Sequence, residues 1–166
     1  MKTSKKVISL GMIILLSTFI ISTTTTQAKK PVRLELTFEY EWTSFEPAKK
    51  EWITDKGILH TLQTPHYGHV LEGGAIAGVV YYCGNLILDL NTYSGKGGGI
   101  FEFTGEYKGS TAGFRGKLLF DIEFAVLTGT LNCPGTGAFA GMLLKGTVST
   151  ILGTDITYVT LVIWNR

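Results

Sequence analysis

Arg33-Leu34-Glu35-Leu36-Thr37-Phe38-Glu39-Tyr40-Glu41-Trp42 alternates without a break between apolar and polar side chains. Leu34, Leu36, Phe38, Tyr40 and Trp42 share one face, while Arg33, Glu35, Thr37, Glu39 and Glu41 share the other. Successive side chains of a strand point to opposite sides of its sheet, so the run predicts a strand with one buried and one solvated face.

The same period returns from Phe114 to Phe124. Phe114, Gly116, Leu118, Phe120, Ile122 and Phe124 fall on one side, and Arg115, Lys117, Leu119, Asp121 and Glu123 on the other. Further strands are predicted from Trp52 to Gln63, interrupted at Asp55-Lys56-Gly57, and over Gly99 to Tyr107, Leu127 to Asn132, Leu143 to Thr150 and Ile156 to Trp164. Ala75 to Tyr82 and Leu86 to Asn91 flank Cys83-Gly84-Asn85, which has the composition of a short hairpin turn. Ser94-Gly95-Lys96-Gly97-Gly98 also reads as a turn, and Pro47 marks a connection outside the ladder.

Eight or nine evenly spaced strands and no helical pattern beyond the N-terminal segment predict an all-β fold. An antiparallel closed barrel of about eight strands is favoured, with a β-sandwich as the alternative. Closure removes sheet edges, and glycines such as Gly105, Gly116, Gly129, Gly141 and Gly146 are expected at its bends. Thr111-x-x-Phe114-x-Gly116-x-Leu118-Leu119 and Thr136-x-x-Phe139-x-Gly141-x-Leu143-Leu144 share one spelling. They predict two equivalent turn-to-strand junctions, with Phe114 and Phe139 as core anchors. The last strand departs from simple alternation: Ile156, Tyr158, Val162 and Trp164 interleave with Val159, Leu161 and Ile163. Both its faces are expected to be covered, by a second sheet, a loop or another subunit.

Lys2, Lys5 and Lys6 precede an apolar run from Val7 to Ile21 and a polar stretch ending in Thr26-Gln27-Ala28. This is the pattern of a signal peptide over residues 1–28, leaving 29–166 as a single secreted or extracytoplasmic domain with no membrane span of its own. Loss of those three lysines and no acid takes the formal charge from +2 to −1. A near-neutral body argues against nucleic acid as a partner, since phosphate contacts require clustered cations. Cys83 and Cys133 lie beyond the leader, and an oxidising compartment predicts a disulfide between them, the alternative being two separate buried thiols.

Gly97-Gly98-Gly99-Ile100-Phe101 and Gly135-Thr136-Gly137-Ala138-Phe139, each followed by a glycine-punctuated strand, resemble segments of the allene oxide cyclase and dirigent barrel superfamily. The resemblance covers about Gly97 to Thr150. It implies an eight-stranded antiparallel barrel with a central cavity, often in trimers, and carries no catalytic residue onto a position here.

His60, His66 and His69 cluster, and with Asp55 or Glu72 they are the metal-ligand candidates, although their spacing matches no established zinc motif. Glu102 and Asp89 are the acid–base candidates, provided that their strands turn them into a lumen where desolvation raises a carboxyl pKa. Trp42, Tyr81 and Tyr107 are the candidates for an aromatic ligand pocket. No Gly-x-Ser-x-Gly elbow is present, and Thr92 to Gly99 lacks the Gly-Lys-Ser/Thr ending of a phosphate loop. No cofactor is implied. The first expectation is an exported barrel that binds an apolar ligand or a protein partner without catalysis. A cofactor-free cyclase or isomerase acting on an apolar substrate in the cavity is the second, and a surface-assembly protein forming homo-oligomers the third.

Overall fold

The computed structural model describes residues 33–71 and 74–165. The signal-peptide expectation for residues 1–28 lies outside them, as does Glu72. Nine strands succeed one another: β1 (Arg33–Phe45), β2 (Lys50–Ile53), β3 (Ile58–Val70), β4 (Ile76–Asp89), β5 (Ser94–Tyr107), β6 (Ser110–Glu123), β7 (Val126–Gly137), β8 (Met142–Ile151) and β9 (Ile156–Asn165). From β2 to β9 each pairs antiparallel with the next, while β1 pairs with both β9 and β3 and so closes the sheet into a ring. The all-β closed sheet agrees with the alternation from which it was predicted.

Strand count hides a compensation. β2 lies on the same edge of β3 as β1, farther along it: Phe45 faces His66, and Lys50 faces Leu62. Together β1 and β2 form one stave broken around Pro47, so eight staves make the ring. In the other direction, β4 runs unbroken through Cys83-Gly84-Asn85, where a hairpin turn was expected. The glycines at 95, 97, 98 and 99 likewise belong to β5, paired on both sides, and not to a turn. Here ladder hydrogen bonding to two neighbours overrides a composition that locally favours turns.

Inside, one end of the barrel is filled. Phe38, Phe101, Phe103 and Phe114 are buried there, with Phe103 and Phe114 stacked at 5.1 Å and Phe101 and Phe114 at 6.1 Å. Burial of each such ring contributes about 1.5–3 kcal/mol. Phe139 caps this end, 5.1 Å from Tyr107 and 6.5 Å from Phe114. Both repeat phenylalanines are therefore core anchors, but the two junctions differ. Phe114 sits within β6, whereas Phe139 sits in the β7–β8 turn, where Gly137 and Gly141 have φ of 58° and 76°. Those left-handed values suit glycine, and they fold the ring inward as a plug. Gly116, by contrast, lies within β6 and leaves room for the Cys133 sulfur across from it.

Outside, mid-strand positions carry Glu35, Glu39, Glu41, Arg115, Lys117, Asp121 and Lys145, none of them buried. Charge outside and apolar side chains inside is the reverse of a lipid-facing barrel. Among the described residues no helix is long and apolar enough to cross a membrane. Phe124, expected on the inner face, is 84% exposed at the β6–β7 turn. The final strand is covered on one side only: Thr157, Val159, Leu161 and Ile163 point inward, and Ile156, Tyr158 and Trp164 are exposed outward.

The expected disulfide is not formed. Cys83 and Cys133 are both free thiols, Cys83 on the outer face beside exposed Ile100 and Cys133 fully buried inside. A bridge between them would have to pass through the sheet.

Candidate functional site

Alternation alone would make inward neighbours two residues apart, and the ring breaks that rule twice at its seam. On β1 the register shifts between Trp42 and Ser44, and on β3 it shifts between Thr61 and Thr64. Each shift inserts unpaired backbone and re-aims the side chains beyond it, the ordinary effect of a β-bulge. Trp42 and Phe45 consequently both face inward, as do Thr61, Thr64 and His66. Gln63, with φ of 51°, supplies the left-handed kink, and its amide donates to Asn85 Oδ1 at 2.9 Å.

The half of the barrel opposite the Phe139 plug is not filled. It holds a pocket of about 460 Å³. Trp42, Phe45, Leu118, Phe120, Leu127 and Val148 provide much of its apolar wall. His66 packs among Phe45 at 4.9 Å, Trp42 at 5.4 Å and Tyr82 at 5.5 Å. Tyr82 folds over Gly84: a side chain at that position would land on the phenol, so the glycine is required for the ring to lie there.

Three hydroxyl oxygens on this wall have no hydrogen-bond partner in the protein: Thr64 Oγ1, Tyr82 Oη and Thr157 Oγ1. The Tyr40 phenol lies beside the Thr157 hydroxyl but out of hydrogen-bonding geometry. Tyr82 and Thr157 are only 7% and 1% exposed, so water outside the barrel does not reach them freely. An unpartnered buried polar group costs about 1–3 kcal/mol, and such groups concentrate where something else binds. Burial holds the Tyr82 and Tyr40 phenols well above the usual tyrosine range and lowers the pKa of His66, so all three are neutral near pH 7.

Around the mouth the turns are tied to one another through the backbone. Leu90 N donates to Gly57 O at 3.0 Å, Ala125 N to Tyr93 O at 3.0 Å, Leu152 N to Ala125 O at 2.7 Å, and Trp42 N to Asp155 O at 2.9 Å. These bonds join neighbouring staves beyond the ends of their ladders. The opening is accordingly pre-formed, which lowers the ordering cost of binding.

Of the aromatic candidates, Trp42 lines this pocket. Tyr107 is at the plugged end against Phe139, and Tyr81 faces outward, 5.1 Å from Tyr67, its phenol pushed up to about 12 chiefly by the neighbouring Cys83 thiol. The histidines are separated by the sheet: His66 is inside, His69 is exposed opposite Val79, and His60 stacks on Trp52 at 4.6 Å on the outside. Asp55 is exposed in the β2–β3 turn, and among the described residues no three metal-ligating side chains converge. His60, His66 and His69 all lie within strand β3.

Neither acid–base candidate reaches the lumen. Glu102 lies outside, 3.4 Å from the Arg115 guanidinium, in a surface ion pair contributing about 0–1 kcal/mol. Asp89 accepts from the Asn91 amide at 2.8 Å and from Asn91 Nδ2 at 3.1 Å; these bonds lower its pKa and brace the β4–β5 turn. A larger depression, about 1430 Å³, crosses the outer face around Gly98, Leu119, Lys96 and Arg115. It is open to solvent, so the smaller interior pocket is the better place to desolvate a ligand. No sequence pattern marks Tyr82, Thr64 or Thr157, and His66 stands out in the sequence only as a metal ligand. The chain matches no protein-family model and no curated protein.

Proposed function

We propose that the protein binds a compact apolar small molecule inside the open half of its barrel and does not transform it. The observation that carries this function is the coincidence of an aromatic-walled interior pocket with buried hydroxyls lacking protein partners. Its volume, about 460 Å³, falls within the span of roughly 300–1,000 Å³ typical of small-molecule sites. With Glu102 and Asp89 outside, the cyclase or isomerase alternative loses the carboxylates on which it rested. The closed barrel and its cavity are what the resemblance to the allene oxide cyclase and dirigent superfamily implies, and they support that kinship as part of the proposal. Export from the cytoplasm rests on the leader pattern and is checked by N-terminal sequencing of the processed protein, expected to begin at Lys29.

The neutral dye N-phenyl-1-naphthylamine tests binding directly. Folded protein should raise its fluorescence and gain melting temperature in its presence, because a ligand that binds only the native state must stabilise it. Leu127→Trp, a half-buried position at the wall, should abolish both effects. No enhancement by the folded protein, or enhancement unaffected by Leu127→Trp, would rule out the interior site.

The outward row of Ile156, Tyr158 and Trp164 favours a second role, self-association through β9. Light scattering at high concentration decides it: a strictly monomeric protein removes that role and leaves ligand binding intact.

A further inference from the structure

We infer that the pocket selects an uncharged ligand bearing a hydroxyl or carbonyl oxygen and rejects the corresponding carboxylate; this rests on the interior binding proposed above. Three of the wall's polar side chains sit together on β3 and β4. Thr64 stands opposite Gly84 in the β3–β4 ladder, and the Tyr82 phenol lies over that same glycine. His66 is the ladder partner of Tyr82, with ring centroids 5.5 Å apart. Two unpartnered hydroxyls and an imidazole thus mark one patch of the β3–β4 wall, on residues that line the pocket.

A hydroxyl gives one hydrogen bond and accepts others, and a neutral imidazole gives one and accepts one. Such a patch satisfies an alcohol or a carbonyl oxygen in either direction. A carboxylate is a different case. Burying an ionised group is costly unless an opposite charge goes with it. Among the described residues lining the pocket there is no lysine or arginine, and His66 is held neutral by burial. The one charged lining residue is Asp155, an acid at the mouth, which repels an approaching anion. A purely apolar ligand enters but leaves the hydroxyls unpartnered, and so forgoes the gain of satisfying them.

Naphthalene, 2-naphthol and 2-naphthoate share one rigid skeleton and separate these cases. Calorimetric titration at pH 7.5 should give the tightest binding for 2-naphthol, about tenfold tighter than naphthalene, the size of one hydrogen bond to a buried group. 2-Naphthoate should bind weakest. Tyr82→Phe should shrink the naphthol-to-naphthalene ratio to about threefold or less, and Thr64→Val provides the same comparison if the tyrosine variant does not fold. Naphthoate binding as tightly as naphthol, or a ratio unmoved by both substitutions, overturns the selectivity while leaving interior binding in place. If neither naphthalene nor naphthol binds, interior binding itself fails, and the selectivity falls with it.

Discussion

Replacing Phe139 by alanine removes the plug from the filled end of the barrel. The ring is 1% exposed and packs 5.1 Å from Tyr107 and 6.5 Å from Phe114, itself a fully buried ring within β6. Truncating a buried phenylalanine costs about 3–5 kcal/mol, toward the upper end where the surroundings cannot collapse into the space. For a domain of this size each kcal/mol is worth on the order of 3–4 °C in melting temperature, so a drop of about 14 °C is expected. Phe124 is the internal control. It is 84% exposed, and Phe124→Ala should shift the transition by no more than about 2 °C. Thermal unfolding followed by circular dichroism reads both variants in one experiment. A Phe139→Ala cost below about 1 kcal/mol, or equal costs for the two substitutions, would refute the assignment of Phe139 to a closed core.

Thiol titration of the native protein should find Cys83 reactive and Cys133 silent, the latter fully buried with its thiol pushed up to about 12 by that burial; both should react in denaturant without reductant. A native protein with no titratable thiol in denaturant would mean that a disulfide forms. Burial lowers the folded-state pKa of His66 below its ordinary 6.5 or so, so its neutral form is the folded one. Stability attached to this group is therefore complete above that value and lost as pH falls through the lower folded pKa. Urea unfolding between pH 7.5 and 5 should show this loss in the parent protein and a smaller loss in His66→Gln; parallel profiles would exclude it. Gly84→Ala should displace the Tyr82 ring, destabilise the fold by about 1–3 kcal/mol and weaken dye binding. Unchanged dye affinity in that variant would mean that Tyr82 does not shape the pocket.

Period-two alternation made the barrel legible because it reports which face of a strand is buried, and β1 as far as Trp42, β6 and the inner half of β9 obey it. It failed where backbone geometry carries the information. Cys83-Gly84-Asn85 has the composition of a turn, yet Gly84 is there to let the Tyr82 ring lie flat, a demand that only the tertiary neighbour reveals. The pocket was hidden for a related reason. Trp42 and Phe45 are three apart, and so are Thr61 and Thr64, spacings that signal nothing in a strand until a bulge turns both members inward. One trace was present in the sequence: the apolar rhythm of Phe38, Tyr40 and Trp42 changes phase at Phe45. The charged candidates misled for the opposite reason, because Glu102 obeys alternation and therefore belongs outside.

β9 is the stave that lies between β1 and β8, joining Arg33 to Trp164 across nearly the whole described chain. A ribosome delivers β1 first and β9 last. Until the final ten residues of the sheet exist, the β1 and β8 edges are both bare, and contacts between such distant segments are slow to form. The barrel therefore cannot close before β9 has been made. A nascent chain must be kept from pairing with its neighbours, and a chain shortened by one strand should accumulate as aggregates rather than as a smaller barrel.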